Sequence, residues 1–421
     1  MSCQMNDTAR LSSFWDLGAN RFGISILVAS CAAAWVCPPL HGQGPPAVDH
    51  VTVAMSVEGN APIVTLTLKR EDGGSRTARF LYDSGGGAII LNEDLARDIG
   101  LKAEGPVISE EGQRYREVNV PAAWVGGMPI DLQGSKAFMH LGAASFTNRD
   151  TVDGMLPGKA LEEYQVVLDY PRQELSLGEP GTLPHRGERL AAPYVASSGH
   201  PRVEVRIGDK TFGFLLDTGT QLTLLREDLL QKWSGDNPKW PRSRGAVGPA
   251  NVDGAADDAL LLRIPLVKIG SFSVVQVAAV SRPNEMYSAT KFETPAAIVG
   301  ALGGNVLSRF RVEIDYPDKL LFLEPSDKTP ENDFQTVGLV LDTNAAGELV
   351  VRAVSSSASP MTRQNILPGD VILQIGTASK APYTLTVAGR ALSGAVGERK
   401  QLHILRNGEP MVVEAIVSRI L

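Results

Sequence analysis

The chain has 421 residues, 43% of them hydrophobic and 21% charged, with a formal net charge of -7. That composition describes a folded chain of about two to four domains, without the basic stripe that a nucleic-acid partner requires. Its three cysteines, Cys3, Cys31 and Cys37, leave the body of the chain without disulfides or a cysteine metal site, and the six scattered histidines form no zinc pattern.

The first element is a targeting segment. Arg10 and Arg21 precede an uncharged stretch from Phe22 to Leu40, a positive flank before an apolar core. Val28-Ala29-Ser30-Cys31 resembles a bacterial lipoprotein cleavage box, which would make Cys31 a lipidated N-terminus. The stretch also approaches the ~20 residues that span a bilayer. Three readings therefore stay open: a lipid tether at Cys31, an uncleaved N-terminal anchor helix, and a plain cleaved signal. All three expect export, to the periplasm or to a membrane face outside the cytoplasm. Gly42 to Pro46 reads as a linker, and residues 1–46 as signal and linker together.

An internal duplication follows. FLYDSGGGAIILNEDLARDIGL, from Phe80, aligns with FLLDTGTQLTLLREDLLQKW, from Phe214. Downstream, VDGMLPGKALEEYQVVLDYPRQELSL from Val152 aligns with AIVGALGGNVLSRFRVEIDYPDKLLFL from Ala297. Self-similarity of this kind means two copies of one structural unit. The second copy has room for a modest insertion, placed in the polar, Gly- and Pro-rich stretch Trp233 to Asp258.

Within each copy the periods are those of strands. Pro62 to Lys69 and Val203 to Ile207 alternate or run β-branched, turns follow at Asp72-Gly73-Gly74 and Gly208-Asp209-Lys210, and a second strand runs into each Asp. Asn92 to Ile99 and Arg226 to Trp233 read as short helices, with Asn92 as an N-cap. Each copy closes on an apolar strand ending Asp-Tyr-Pro, where Asp169 and Asp315 look like turn residues at exposed strand ends. His185 to Pro201 reads as a linker between the copies. The expected division is residues 47–186 for one lobe and 187–328 for the other.

The chemistry concentrates at the two Asp-Ser/Thr-Gly turns. Two carboxylates about 3 Å apart cannot both ionise, so a pair brought together shares one proton. One member then takes a proton from water while the other hydrogen-bonds a carbonyl oxygen. Asp83 and Asp217 are the candidate catalytic pair. Gly85 and Gly219 permit close backbone approach, and Ser84 and Thr218 supply hydroxyls that can tie the loops together. A lone Asp-Ser-Gly is an ordinary turn; the matched contexts give this pair its weight.

These residues resemble the retropepsin-like aspartic proteases, which carry hydrophobic-hydrophobic-Asp-Thr/Ser-Gly followed by a hydrophobic-hydrophobic-Gly element. Ile298-Val299-Gly300 fits that element; Val152-Asp153-Gly154 departs from it at Asp153, and Gly86 stands where Ala, Ser or Thr is usual. The resemblance covers about residues 50 to 325. It implies a mainly β fold of two homologous barrel lobes in one chain, a monomer that needs no dimerisation, no cofactor, and a peptide or protein substrate. It also implies a hairpin flap, for which Ile108 to Arg116 and Gly245 to Gly254 are candidates.

From about Asn332 the pattern changes. Val337 to Val340 and Leu349 to Val354 read as strands, Ile366-Leu367-Pro368-Gly369-Asp370-Val371-Ile372 leads into another, and Asn407-Gly408 signals a hairpin. Residues 329–421 resemble the PDZ domains of bacterial exported proteases. By that resemblance the Gly338-Leu339 loop receives C-terminal peptides, which add as a strand. The combined expectation is an exported aspartic endopeptidase with a terminal domain that docks peptide or regulates access. The alternative is a non-catalytic, peptide-binding lipoprotein on the same fold, favoured by Gly86 and Asp153.

Overall fold

The computed structural model describes residues 48–421 apart from 111–112, 133, 143–151, 196–198, 251–255, 291–296, 327–333, 345, 378–382 and 384. The stretch read as a targeting segment, and with it Cys31, lies outside the described residues. No described helix is long and apolar enough to cross a membrane.

The structure is mainly β. The first part of the chain contributes β1 (His50–Glu58), β2 (Ala61–Lys69), β3 (Ser75–Asp83), β4 (Ile89–Asn92), α1 (Glu93–Asp98), β5 (Ala103–Glu110), β6 (Gln113–Val118), β7 (Ala123–Val125), β8 (Met128–Ile130), β9 (Ala137–His140), β10 (Gly154–Pro157), β11 (Gln165–Asp169) and β12 (Glu174–Gly178). The second contributes β13 (Glu188–Ala191), β14 (Arg202–Ile207), β15 (Lys210–Leu216), β16 (Thr223–Arg226), α2 (Glu227–Asp236), β17 (Arg242–Arg244), β18 (Leu260–Ile269), β19 (Phe272–Arg282), β20 (Ile298–Leu302), α3 (Gly304–Leu307), β21 (Phe310–Asp315) and β22 (Leu320–Pro325).

In the second part, six strands run β14-β15-β20-β16-β19-β18, and β18 pairs back onto β14. The sheet therefore closes into a six-stranded barrel and leaves no free edge at that seam. The first part repeats this order as β2-β3-β10-β4-β9-β6, with the seam made by β7 against β2. Here the long β18–β19 hairpin is replaced by shorter strands, β6 and β7 on one side and β8 and β9 on the other. The equivalent pairings are parallel in both parts: β3 with β10 and β15 with β20, β4 with β9 and β16 with β19. Inward side chains such as Leu66, Phe80 and Leu91, and Val205, Phe214 and Leu262, are buried in one continuous apolar core.

A sheet of order β13-β22-β21-β11-β12-β1 joins the two parts. Its central pair is antiparallel, with Gln165 opposite Asp315 and Asp169 opposite Arg311. Burial here corrects two expectations. Asp169 and Asp315 are buried rather than exposed, because their strands sit in the middle of this joining sheet. Both still cap their turns, Asp169 accepting the Arg172 N–H at 3.0 Å and Asp315 the Asp318 N–H at 3.1 Å. The stretch His185 to Pro201 is not a bare linker either. His185 stacks on Phe322 and bonds Glu313 at 2.5 Å, and Glu188–Ala191 is a strand of the sheet.

The C-terminal part holds β23 (Gln335–Thr336), β24 (Leu339–Thr343), β25 (Leu349–Val354), α4 (Pro360–Asn365), β26 (Val371–Ile375), α5 (Leu385–Leu392), β27 (Arg399–Arg406), β28 (Glu409–Ile416) and β29 (Ser418–Arg419). Its main sheet runs β24-β25-β26-β27-β28 over its own core of Leu341, Ile372, Ala388 and Ile404. Asn407 and Gly408, both at positive φ, make the β27–β28 turn as the dipeptide predicts. Asp370 is buried and held by Arg406 at 2.6 and 2.7 Å. A second apolar cluster, including Val247, Leu261, Val280, Phe334, Val340 and Ile420, fastens this part to the outside of the second barrel.

Candidate active site

Strands β3 and β15 end at the same place, on the joint between the two barrels. In each, the Asp at the strand end leads into a hydroxyl residue that is fully buried, Ser84 and Thr218. The Ser84 N–H donates to Thr218 Oγ1 at 3.0 Å, and the Thr218 N–H donates to Ser84 Oγ at 3.1 Å. Each hydroxyl in turn donates across the joint, Ser84 to the Leu216 carbonyl and Thr218 to the Tyr82 carbonyl, both at 2.8 Å. Four hydrogen bonds thus fix one loop against the other, and each hydroxyl uses both its donor and an acceptor site.

This lock brings Asp83 and Asp217 together. A Cβ built on Gly85 would lie 2.9 Å from Asp217 Cγ, and one on Gly219 would come closer still to Asp83 Cγ. Only glycine leaves room for a carboxyl to reach over the opposite backbone. The two carboxyls hydrogen-bond to each other. Asp83 Oδ1 also accepts the Gly85 N–H at 2.8 Å, and Asp217 Oδ1 the Thr220 N–H at 3.0 Å. Burial and then the charge of Asp83 push Asp217 well above the usual carboxylate range, against the opposing N–H groups of Thr220 and Gly219. The pair therefore holds one proton where separate carboxyls would hold none.

The two departures from the family pattern have local structural roles. Asp153 turns its carboxylate to the backbone, accepting the Arg79 N–H at 2.8 Å at the start of β10. Gly86 closes the first loop through its N–H to the Asp83 carbonyl at 3.0 Å, and its own carbonyl accepts from His200.

Several site residues carried no decisive sequence signal. Tyr82 and Tyr316 are fully enclosed and share a hydrogen bond of 2.6 Å under the first loop, where burial raises both phenols. Tyr170 is buried near Asp217. The repeated Asp-Tyr-Pro marked Tyr170 and Tyr316 as equivalent but not as a floor for the carboxyls. His200 belongs to the turn before β14 yet reaches the other barrel's Asp loop. Its counterpart is Asn60, in the turn between β1 and β2, which donates to the Gln221 carbonyl at 3.5 Å beyond the Asp217 loop. Burial pushes the His200 imidazole down to about 4. Asn305, at the head of α3, accepts from the Thr223 N–H at 2.9 Å and donates to the Ala278 carbonyl at 2.8 Å, bracing the strand after the second loop.

Of the flap candidates, Ile108 to Arg116 spans the β5–β6 hairpin, with its tip at 111–112 outside the described residues. In Gly245 to Gly254, residues 251–254 lie outside them as well. Gly338, at φ 86°, precedes β24 and packs against Ala358 and Ile420; Leu339 is buried. No His, Cys, Asp or Glu group among the described residues is arranged to hold a metal ion.

Residues 203–305 match the aspartyl protease family. That span runs from β14 to α3 and contains Asp217, Thr218 and Gly219, so the match falls on the second barrel and its Asp loop. Among solved structures, the aspartic proteinase from Irpex lacteus is similar at 14% identity, covering 68% of this chain and 99% of that one, with a TM-score of 0.38. No curated protein matches the chain.

Proposed function

We propose that this protein is an exported aspartic endopeptidase whose two homologous, retropepsin-like lobes form one catalytic site without a second chain. The observation that carries the reading is the reciprocal lock between Ser84 and Thr218, which holds two carboxyls in hydrogen-bonding contact. The match of residues 203–305 to aspartyl proteases supports it.

In the mechanism, Asp217 carries the shared proton and Asp83 the charge. A water between them gives a proton to the ionised carboxyl as its oxygen bonds the scissile carbonyl carbon. The protonated carboxyl gives its proton to the carbonyl oxygen, forming a gem-diol. Collapse of the diol breaks the C–N bond, returns a hydroxyl proton to one carboxylate and delivers the other carboxyl's proton to the leaving nitrogen. Activity needs one proton on the pair. It falls in acid when both carboxyls are protonated, and falls again as pH rises through the raised upper ionisation.

The C-terminal part is read as a PDZ-like module that docks peptide or regulates access. In support, β24 is the end strand of its sheet and α5 packs beside it, the arrangement that strand addition uses. Export completes the proposal, by a lipid on Cys31, an uncleaved N-terminal anchor helix or a cleaved signal.

Asp83→Asn and Asp217→Asn each test the reading in protein lacking residues 1–46, incubated with mixed peptides from pH 3 to 8. Both variants should keep the wild-type melting temperature and lose pepstatin-sensitive cleavage by about 10²-fold or more. Undiminished turnover by both variants would overturn the proposal. Peptide binding without cleavage by the unaltered protein would favour the scaffold alternative.

A further inference from the structure

A cavity of about 340 Å³ lies away from the Asp loops, between β13 of the joining sheet and the outer face of the second barrel. Three cations line it. Arg202, Glu204 and Arg206 alternate along β14 and so share one face of that strand. Arg206 stands directly between Thr211 on β15 and Lys268 on β18. Leu190 and Pro193 supply an apolar wall.

This arrangement is unfavourable when empty. Arg202 is only 5% exposed, yet its Nη1 has no hydrogen-bond partner among the described residues. Its nearest carboxylate, Glu204, is 3.9 Å from Nη2 and is itself largely exposed. A buried guanidinium with an open donor costs free energy that one long ion pair does not offset. Arg206 and Lys268 add a second cost, since like charges directly opposite on neighbouring strands repel. Neither has an ion pair among the described residues. Glu188 stands at the rim, but its carboxylate is taken up by the Ser271 N–H at 3.0 Å and by the Ser271 hydroxyl.

We propose that this cavity binds a phosphate group, with the Arg202 guanidinium as its buried anchor and Arg206, Lys268 and the Thr211 hydroxyl as its outer contacts. A tetrahedral oxyanion supplies the acceptors that Nη1 lacks and sits between the two opposed cations. Arginine's planar fork suits two oxygens of one such group. Three cations against one facing carboxylate leave an excess that fits a dianion better than a single peptide carboxylate. The apolar wall and the volume leave room for an organic substituent, so the group is either inorganic phosphate or a phosphate monoester.

The test is calorimetric titration of the purified protein with inorganic phosphate and, separately, with glycerol 3-phosphate, each against sodium chloride at matched ionic strength. The expected result is one site per chain for at least one of the two phosphates. Tighter binding of the monoester identifies an organic ligand, and equal or weaker binding identifies the free ion. Arg206→Gln combined with Lys268→Gln removes one exposed and one half-buried cation and should weaken that affinity at least tenfold while leaving the melting temperature within about 2 °C. Arg202→Met removes the anchor and should abolish binding. Heat no greater than the chloride control with both phosphates would overturn the proposal. So would an affinity unchanged in the double variant.

Discussion

Thr218→Val probes the lock between the loops most directly. Valine has nearly the shape of threonine, so the substitution deletes one hydroxyl and little volume. That hydroxyl accepts the Ser84 N–H and donates to the Tyr82 carbonyl, and Thr218 and Ser84 are both fully buried. Two backbone groups lose their partners in a place water does not reach. Each buried group left unsatisfied costs about 1–3 kcal/mol, so the variant should lose about 2–6 kcal/mol. For a chain of this size each kcal/mol lowers the melting temperature by about 1 °C, so calorimetry should show a fall of about 2–6 °C. Thr218→Ser keeps the hydroxyl and should melt within about 1 °C of the unaltered protein. The reasoning fails if the valine variant melts like wild type, or if the serine variant is equally destabilised.

Three further outcomes are expected. Gly219→Ala places a methyl against the Asp83 carboxyl, so peptide cleavage should drop about 100-fold while the barrels melt almost unchanged; retained activity would contradict the geometry of the pair. His200 has a folded-state value of about 4, below its usual 6.5, so the stability linked to its neutral form is complete above pH 6.5 and is lost as pH falls toward 4. His200→Gln should remove an acid sensitivity of about 3 kcal/mol across that window, read from urea unfolding at pH 7 and pH 4. An unchanged pH slope would show that another group sets it. Asp153→Ala strands the Arg79 N–H and should cost about 1–2 kcal/mol in urea unfolding, whereas Asp153→Asn, which keeps an acceptor, should cost less than half of that. Equal losses would remove the capping role.

The barrels were legible in the sequence because local rules shape them. Alternating residues such as those of Pro62 to Lys69 put one face in a core, and the repeated Asp-Ser/Thr-Gly and Asp-Tyr-Pro marked equivalent places in two copies. The Asn407-Gly408 turn was readable for the same reason, since that dipeptide favours positive φ wherever it stands. Asp169 and Asp315 were misread as exposed because burial depends on which strand lies alongside, and each lies beside a strand some 150 residues away. The same holds for His185 to Pro201, whose strand partner is β22.

By itself, then, the sequence determined a duplicated β unit, the pair Asp83 and Asp217, and the hydroxyls and glycines that attend them, because these follow from residue type and spacing. Only the tertiary structure decided that the two carboxyls meet, that His200 and Asn60 each reach the opposite barrel's loop, that Tyr82 and Tyr316 share a floor, and that Arg202 is buried beside two other cations. Those facts depend on contacts between residues far apart in the chain, and on how much water the folded surroundings exclude. Neither is written in any local stretch of residues.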